Sequence, residues 1–268
     1  MTETSNFKVE VDNHIAWLIL NRPEKRNAMG LAFFEEIGAW FDDFERDPDI
    51  RVVIIKAEGK SFSAGTDLEE AAALVSQHSA DGRDKMQKDI LKLQQGFTKI
   101  ERCRKPVIAA IHSHCVGGGM DMICACDMRL TTKDAIFSIR ETRMGIVADL
   151  GTLQRLPHII GQGRFRELAL TGRDFTAQEA LQMGLVTRIC DDRPTLYKEA
   201  KNLAGEIAAC PPLTVQGTKE VINYSRDNGI EAGLQYVAQK NSAALPSEDL
   251  FEAVTAFMEK RKPVFKGK

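Results

Sequence analysis

The chain has 268 residues, 43% of them hydrophobic, and its 36 Lys and Arg residues nearly balance its 38 Asp and Glu residues. This length and composition support one large globular domain, with or without a smaller appendage. The net charge of −2 and the lack of basic runs interleaved with aromatic residues argue against nucleic-acid binding. No segment approaches the roughly 20 apolar residues of a membrane span, so we expect no membrane partner.

Strand and helix patterns alternate from the start of the chain. Residues 7–23 alternate like two short strands around an Asp-Asn turn and stop at a proline. Residues 29–47 place apolar side chains at helical spacing, beginning with Leu31. Residues 51–59 form a β-branched run that predicts a strand buried on both faces.

The same alternation continues through the middle of the chain. Residues 69–101 are helical in composition, and residues 105–119 predict one more buried strand that meets a glycine-rich turn. Residues 120–132 predict a helix that passes into a strand. This alternation of strands and helices predicts an α/β fold.

From about Thr176 onward the strand patterns nearly vanish, and amphipathic helices take their place. No linker rich in Ser or Pro precedes them, so we expect this tail to pack on the α/β part. We divide the chain into a core of residues 1–200 and a helical region of residues 201–268. The helices are predicted within residues 177–186, 196–210, 213–226, 230–245 and 247–262.

Two glycine-containing turns carry possible chemistry. SFSAGTDL (residues 61–68) and CVGGGMD (residues 115–121) each lead from a strand into a helical stretch. Glycine permits tight turns and a close approach of ligand to backbone N–H groups, and a helix N-terminus adds partial positive charge. N–H groups from the two turns could converge on one developing oxyanion, although either turn alone is more simply a strand-to-helix connection. Neither matches the fingerprints of the dinucleotide or P-loop phosphate sites.

Acidic residues and histidines are the other candidates for chemistry. Glu141 and Asp149 flank a mostly apolar run, and on their own they favour an ion pair of Glu141 with a neighbouring arginine and a helix N-cap at Asp149. Asp127 is interpreted as structural. His112 and His114 lie on a predicted strand, but no suitably spaced carboxylates accompany them, so we expect no metal site.

Cysteine usage and the termini bear on the cellular compartment. Six cysteines are too few for a disulfide framework, and Cys124 and Cys126 have neither zinc nor redox spacing, so we expect reduced thiols. The N-terminal residues lack a basic segment followed by an apolar one, and the terminal Lys-Gly-Lys is not an address sequence. These features predict a cytoplasmic protein.

Six segments of the chain carry a family resemblance. In order, they are NRPEKRNAM, SFSAGTDL, KPVIAAIHSHCVGGGMD, ACDMRLTTKDAIFSIRE, GTLQRLPHIIG and ALQMGLV. Through them the chain resembles the crotonase (enoyl-CoA hydratase/isomerase) superfamily over residues 10 to about 190. The resemblance implies a spiral of ββα units followed by a helical region that forms trimers or hexamers. It also implies an acyl-CoA thioester as substrate, with no cofactor beyond the coenzyme A of the substrate.

Site residues follow from this resemblance by position. The backbone N–H groups of Thr66 and Gly118 would hold the enolate oxygen, and Asp121, Glu141 and Asp149 would be the catalytic acids. The substrate-binding residues would be Lys25, Arg26, Ala64, Gly65, Asp67, Leu68 and Gly119.

The acids also select a branch of the superfamily. Its hydratases typically place glutamates at the positions of Asp121 and Glu141, where two carboxylates hold one water, and a small residue at the position of Asp149. The trio found here is similar to that of the Δ3,5-Δ2,4-dienoyl-CoA isomerases. A 2-enoyl-CoA hydratase is the enzymatic alternative. A non-catalytic member that binds acyl-CoA or RNA is the third, which the charge balance and the intact trio disfavour.

Chemistry supports the isomerase independently. Moving the double bonds from positions 3 and 5 to 2 and 4 takes a proton from C2 and delivers one to C6, roughly 5 Å away. One carboxylate cannot easily serve both ends, whereas two on either side of a bend at Gly145 can. By position Glu141 is the predicted base and Asp149 the predicted acid. In a mostly apolar pocket, desolvation and mutual repulsion should raise the pKa of at least one of them.

Overall fold

The computed structural model describes residues 2–4, 6–75 and 79–268. Two sheets organise these residues, and the larger has the strand order β1-β2-β3-β4-β5-β7-β10, while the smaller has the order β6-β8-β9. The strands are β1 (Thr2–Glu3), β2 (Phe7–Asp12), β3 (Ile15–Leu20), β4 (Val52–Ala57), β5 (Val107–Ile111), β6 (His114–Val116), β7 (Met128–Thr132), β8 (Ile136–Ser138), β9 (Asp174–Thr176) and β10 (Arg188–Cys190).

Helices connect these strands and then take over the chain. Two short 3-10 helices, Pro23–Lys25 and Arg140–Met144, lie in the connections. The α-helices are α1 (Leu31–Arg46), α2 (Leu68–Val75), α3 (Ala80–Arg102), α4 (Gly118–Cys124), α5 (Thr152–Ile160), α6 (Gln162–Thr171), α7 (Ala177–Met183), α8 (Arg193–Ala208), α9 (Pro212–Asn228), α10 (Ile230–Ala244) and α11 (Glu248–Glu259).

The large sheet is parallel from β3 through β4, β5 and β7 to β10, and antiparallel where β2 pairs with β1 and β3. Its middle strands are buried on both faces, as predicted for the β-branched run that forms β4. Phe34, Phe41 and Phe97 from α1 and α3 pack in the cluster on one face. Leu196 and Ala200 from α8 pack in the cluster on the other. The predicted α/β fold is therefore confirmed.

Two predictions about local structure are wrong. Residues 105–119 form two strands in different sheets, because the chain leaves β5 through a left-handed residue, Ser113 with φ 52°, before β6 begins. A run of apolar residues indicates a strand but not the sheet it joins. Leu31 does not join the apolar face of α1; it is the first residue of that helix and remains 38% exposed, while Phe33 is buried.

The predicted C-terminal helices are present as α7 to α11, interrupted by the short strand β10. Helix α8 runs through residues 200 and 201 and packs on the large sheet, so the division of the chain at that point stays a prediction. Within the described part of the chain, no helix is both long and apolar enough to cross a membrane. Helices α9 and α10 pair with each other, and their Tyr224 and Tyr236 rings stack at a centroid distance of 4.3 Å.

Candidate active site

The two glycine-containing turns lie side by side at the start of α4. An isolated bridge joins Met29 to Thr66, in which Met29 N donates to Gly65 O at 2.8 Å and Asp67 N donates to Met29 O at 2.9 Å. In this parallel pattern the partners lie one residue before and one after Thr66, so the N–H of Thr66 itself points away from Met29. A second bridge joins Ser63 to Cys115 and keeps the two turns in register.

The predicted oxyanion donors are brought together by this arrangement. A Cβ atom placed on Gly118 would lie 3.5 Å from Thr66 N and 3.2 Å from Thr66 Oγ1. Neither the Thr66 nor the Gly118 N–H has an acceptor among the residues that the structure describes. Two free donors on adjacent backbones are what an oxyanion requires.

Glycine is required at two positions of these turns. Gly65 has φ +89°, and a Cβ there would lie 2.9 Å from Val116 O. Gly117 has φ +54°, and a Cβ there would lie 3.3 Å from Glu141 Oε1. A side chain at either residue would strain the backbone, and at Gly117 it would also crowd the Glu141 carboxyl group.

Asp121 projects from the first turn of α4 and is only 1% exposed. Its Oδ1 accepts the backbone N–H of Thr152, the first residue of α5, at 2.6 Å. The residue preceding α5 is Gly151, which has no side chain to cap the helix. Asp121 therefore supplies this cap from another helix, and the alternative prediction of an N-cap at Asp149 is wrong.

Glu141 lies in the 3-10 helix Arg140–Met144, which ends at Gly145 with φ +72°. Its Oε2 atom is buried and has no hydrogen-bond partner among the described residues. The neighbouring arginines are engaged elsewhere, because Arg140 pairs with Asp174 and Arg143 Nε donates to Thr171 O at 3.0 Å. The alternative of a simple ion pair at Glu141 is therefore excluded.

Asp149 follows the bend at Gly145 and is partly buried between Ala148 and Leu150. Its backbone carbonyl accepts Gln94 Nε2, from α3, at 2.6 Å. This contact fixes the segment that carries Asp149 to the long helix behind it. Glu141 and Asp149 thus lie on either side of the bend at Gly145, and their catalytic roles stay predictions.

Burial raises the pKa of all three acids, and nearby carboxylate charges add to the effect at Asp121 and Glu141. Burial raises the pKa of Asp121 to about 6, opposed by the Thr152 N–H and reinforced by the charge of Asp149. Burial also raises the pKa of Glu141 to about 7, with the charges of Asp121 and Asp149 adding to the effect. The pKa of Asp149 is raised by burial as well. Because burial and like charges disfavour ionisation, Glu141 holds a proton in part of the population near neutral pH.

Several predicted substrate-binding residues surround the turns. Ala64 is exposed, Gly65 is buried beside Gly118, and Leu68 at the start of α2 is 57% exposed. Gly119 packs inward instead, since a Cβ there would lie 3.1 Å from Ser63 Cβ. Their contacts with substrate stay predictions.

The charged residues among the predicted substrate-binding residues differ in how free their side chains are to contact a ligand. Lys25 is exposed and paired with Glu69 at 3.1 Å, and Arg26 is exposed in a left-handed conformation with φ 53°. Asp67 is buried, and its carboxylate already accepts from Arg22 at 3.4 Å and from Glu69 N at 3.2 Å. The two basic residues can therefore reach a ligand, whereas Asp67 supports the turn.

The two histidines do not form a pair. His112 is buried, and burial lowers its pKa to about 4, while His114 lies exposed after the chain has turned at Ser113. Among the residues that the structure describes, no group of His, Cys, Asp and Glu side chains is arranged to hold a metal ion.

Sequence reasoning missed several residues that support the acids. Thr152, Gln94 and Arg155 contact the acids or the segment that carries Asp149. Thr152 and Arg155 are inside GTLQRLPHIIG, which was recognised only as a family segment. Gln94 had no signal at all, because its contact joins residues 55 positions apart.

Three known proteins with similar sequences share one activity name. A mitochondrial Delta(3,5)-Delta(2,4)-dienoyl-CoA isomerase of Dictyostelium discoideum is 45% identical over 256 residues, which cover 94% of this chain and 87% of the relative. A peroxisomal protein of the same name from Arabidopsis thaliana is 45% identical and covers 97% of this chain and 95% of the relative. A mitochondrial one from Mus musculus is 44% identical, over 92% of this chain and 77% of the relative.

These names correct one prediction. The expected cytoplasmic location is wrong, because the similar proteins are named mitochondrial or peroxisomal. The prediction depended on the lack of a targeting pattern in the chain. Such patterns are short sequences read by receptors, and the folded domain carries no trace of them.

Structure and family model agree on the fold. A solved enoyl-CoA hydratase from Bacillus anthracis is 32% identical and superposes with a TM-score of 0.91 over 98% of this chain and all of its own. The family model described as enoyl-CoA hydratase/isomerase matches residues 10–268. The predicted ββα spiral with a helical C-terminal region is confirmed. This chain belongs to the enoyl-CoA hydratase/isomerase family, that is, to the crotonase superfamily.

Proposed function

We infer that this protein is an isomerase that converts a 3,5-dienoyl-CoA into the conjugated 2,4-dienoyl-CoA. The observation that carries this inference is the cluster of Asp121, Glu141 and Asp149, which is buried, short of counter-ions and adjacent to the paired N–H groups. The names of the relatives that are about 45% identical support the same activity.

The geometry suggests how the reaction runs. The thioester oxygen accepts the N–H groups of Thr66 and Gly118, which stabilise the enolate by about 3 kcal/mol each. Glu141 removes a proton from C2 and the negative charge spreads along the chain as a dienolate. Asp149 then gives a proton to C6, and the double bonds come to rest at positions 2 and 4. One base and one acid are thus needed in the same catalytic cycle.

The charge state of the cluster suits this requirement. Burial and the charges of Asp121 and Asp149 raise the pKa of Glu141 to about 7 in the free protein, so only part of the population holds Glu141 as the base near that pH. Burial also raises the pKa of Asp149, the proposed acid. We therefore expect kcat/KM to rise as the pH passes about 7 and Glu141 loses its proton.

The arrangement of Asp121 disfavours a hydratase. In the family's hydratases, two glutamates at these positions hold the reacting water. Here the shorter Asp121 already commits Oδ1 to the Thr152 N–H at 2.6 Å. It is therefore better suited to hold the loop and to tune the charge of Glu141 than to activate water.

We propose a trimer or a dimer of trimers as the assembly. Helix α11 leaves a stripe of apolar side chains exposed, and Phe257, its most exposed, is 85% accessible. Its neighbours Phe251, Val254 and Met258 are exposed as well. Contiguous exposed apolar patches often mark a protein–protein interface. Light scattering at micromolar concentration should give a trimeric or hexameric mass, and a monomer would contradict the proposal.

The activity is tested by offering two substrates in parallel. With a 3,5-dienoyl-CoA the protein should produce the ultraviolet absorbance of a conjugated 2,4-dienoyl thioester. With a 2-enoyl-CoA it should remove the enoyl absorbance much more slowly, if at all. Fast hydration together with no conjugated product would identify a hydratase, and no reaction with either would favour a binding protein.

A further inference from the structure

Three charged side chains connect the C-terminal helices to the acid cluster. Glu101 of α3 lies between two arginines, with Oε2 3.1 Å from Arg155 Nη2 and Oε1 2.6 Å from Arg226 Nη1. Arg155 belongs to α5 and Arg226 to α9. The side chains of Arg155 and Glu101 are 12% and 16% exposed, so this is a largely buried network.

The Arg155 guanidinium packs against the turn that carries the acids. Its Nη1 lies 3.4 Å from Leu150 O, and it fills the space where a Cβ of Gly151 would otherwise lie. Leu150 and Gly151 connect Asp149 to Thr152, whose N–H binds Asp121. Moving this guanidinium would therefore move the Asp149 side chain and the hydrogen bond to Asp121 together.

Stability alone does not account for such a network. Buried ion pairs seldom stabilise a fold more than well-packed apolar residues would, because desolvation cancels most of the attraction. Arg155 is also imperfectly paired, since its Nε is buried and has no partner among the described residues. Its positive charge opposes the rise in the pKa of Asp121, so it acts on the acids electrostatically as well as sterically.

We propose that Arg155, Glu101 and Arg226 are positioning residues, through which helix α9 fixes the turn that presents Asp149 and the Thr152 N–H. Arg226 acts through Glu101, and Glu101 acts through Arg155. None of the three needs to touch the substrate. The expected effect on the reaction rests on the proposed isomerase function, whereas the connection between α9 and the turn does not.

Several other titratable side chains lie around this network. They are Asp121 from α4, Asp149 from the turn, His158 from α5 and Asp227 from α9. Asp149, His158 and Asp227, with Gln94 and Thr98 of α3, border a polar cavity of about 440 Å³ beside the network. Any change of pH profile must therefore be compared between variants that leave these groups intact.

The test compares Glu101→Gln, Arg226→Gln and the double variant. Each single change should lower kcat about tenfold with little change in KM, because misplacing a reacting group slows chemistry without weakening coenzyme A binding. The double variant should be no slower than Glu101→Gln alone, since Arg226 acts only through Glu101. Arg155→Lys keeps the positive charge but loses the planar guanidinium group. Its pH profile should therefore stay closer to that of the wild type than its kcat does.

A substrate-free measurement separates this proposal from the proposed function. In the free protein, the infrared band of the protonated carboxyl groups should titrate at a higher pH in Arg155→Gln than in the wild type. The matched control is Arg188→Gln, which breaks a 3.0 Å pair with Glu199 away from the acids and should change neither kcat nor this band. The proposal is overturned if the losses of the two single variants add in the double variant. It is also overturned if Arg155→Gln changes neither the titration of this band nor kcat. A wild type that forms no conjugated product would overturn the function instead.

Discussion

Helix α4 has two ends that the fold treats in opposite ways. At its C-terminal end, Arg129 Nη1 donates to the carbonyls of Ile123 at 3.1 Å and Cys126 at 2.7 Å. Asp127, just beyond, accepts from Lys219 Nζ at 2.6 Å and from Val107 N at 2.7 Å. Every charge at that end has a partner of opposite sign or a hydrogen bond.

The N-terminal end is left incomplete. The Gly118 N–H has no acceptor among the described residues, and Asp121 receives one backbone N–H but faces two other carboxyl groups. Burial raises the pKa of both Asp121 and Asp127, but only Asp127 has an ammonium group in contact to oppose it. A buried acid thus becomes available for proton transfer where the fold withholds its counter-ion, and it becomes structural where the fold supplies one.

The largest effect should come from removing the base at the incomplete end. Glu141→Gln should lower isomerase kcat by about 10³-fold or more, since no other group is placed to take the C2 proton. It should also abolish exchange of the C2 protons in heavy water, because no enolate forms. Isomerisation is followed by absorbance and exchange by mass spectrometry.

The comparison variant, Asp149→Asn, should behave differently. It should also stop isomerisation, but some C2 exchange should remain, because the dienolate forms and is reprotonated where it began. The reverse result, with exchange lost in Asp149→Asn and kept in Glu141→Gln, would interchange the two roles. Wild-type isomerisation in Asp149→Asn would make Asp149 structural and would remove the isomerase assignment.

At the C-terminal end of α4, we expect a substitution to change the stability of the fold. Lys219→Met leaves Asp127 without its ammonium partner and should lower the free energy of unfolding by about 3 kcal/mol. Adding Asp127→Asn should recover a large part of this loss. The control is Lys133→Met, which removes an exposed 3.2 Å pair with Asp191 and should cost less than about 0.5 kcal/mol. If chemical denaturation gives equal losses for Lys219→Met and Lys133→Met, the buried pair contributes no more to stability than the exposed one.

The free N–H at the start of α4 is tested with Gly118→Val. The Val side chain would approach Thr66 Oγ1 and Met29 Sδ, which lie 3.2 and 3.3 Å from a Cβ at this position. It would obstruct the thioester oxygen and lower kcat/KM about 100-fold, the order expected for one lost donor. Gly205→Val is the matched control, because nothing lies within 4 Å of a Cβ on that helical glycine. Near-normal turnover in folded Gly118→Val would place the donor elsewhere.

The sequence was informative about one end of α4 and silent about much of the other. The glycine triplet, Asp121 and the acids around Gly145 were all recognisable, because they are local motifs with a family resemblance. The interpretation of Asp127 as structural agrees with the pair that it forms. Its partner Lys219 was unpredictable, since the two residues are 92 positions apart, Asp127 in the bend between α4 and β7 and Lys219 in α9.

The errors have the same origin. The N-cap expected at Asp149 is supplied by Asp121, 31 positions from the Thr152 N–H that it binds. The buried run at residues 105–119 divides between two sheets at Ser113. Local patterns give helices and strands, but the pairing of distant residues depends on packing that only the folded chain defines.

The smallest effect should appear as a gain of stability at the incomplete end. The pKa of Glu141 lies near 7 in the folded protein against an ordinary 4.5, so the folded state holds this proton to higher pH than the unfolded state does. Below about pH 4 both states are protonated and the residue costs nothing. As the pH rises toward 7, the unfolded state ionises first and the wild type loses stability, and above that range the loss is complete.

Replacing this acid with a neutral amide of the same shape should remove the loss. Glu141→Gln should therefore be more stable than the wild type by about 2 kcal/mol at pH 8, and equally stable near pH 4. Denaturation at the two pH values measures the difference, with the exposed Glu206→Gln as a control that should show none. A Glu141→Gln protein that is less stable at pH 8 would mean that Glu141 has a stabilising partner. In that case the two ends of α4 would not differ in the way that their contacts indicate.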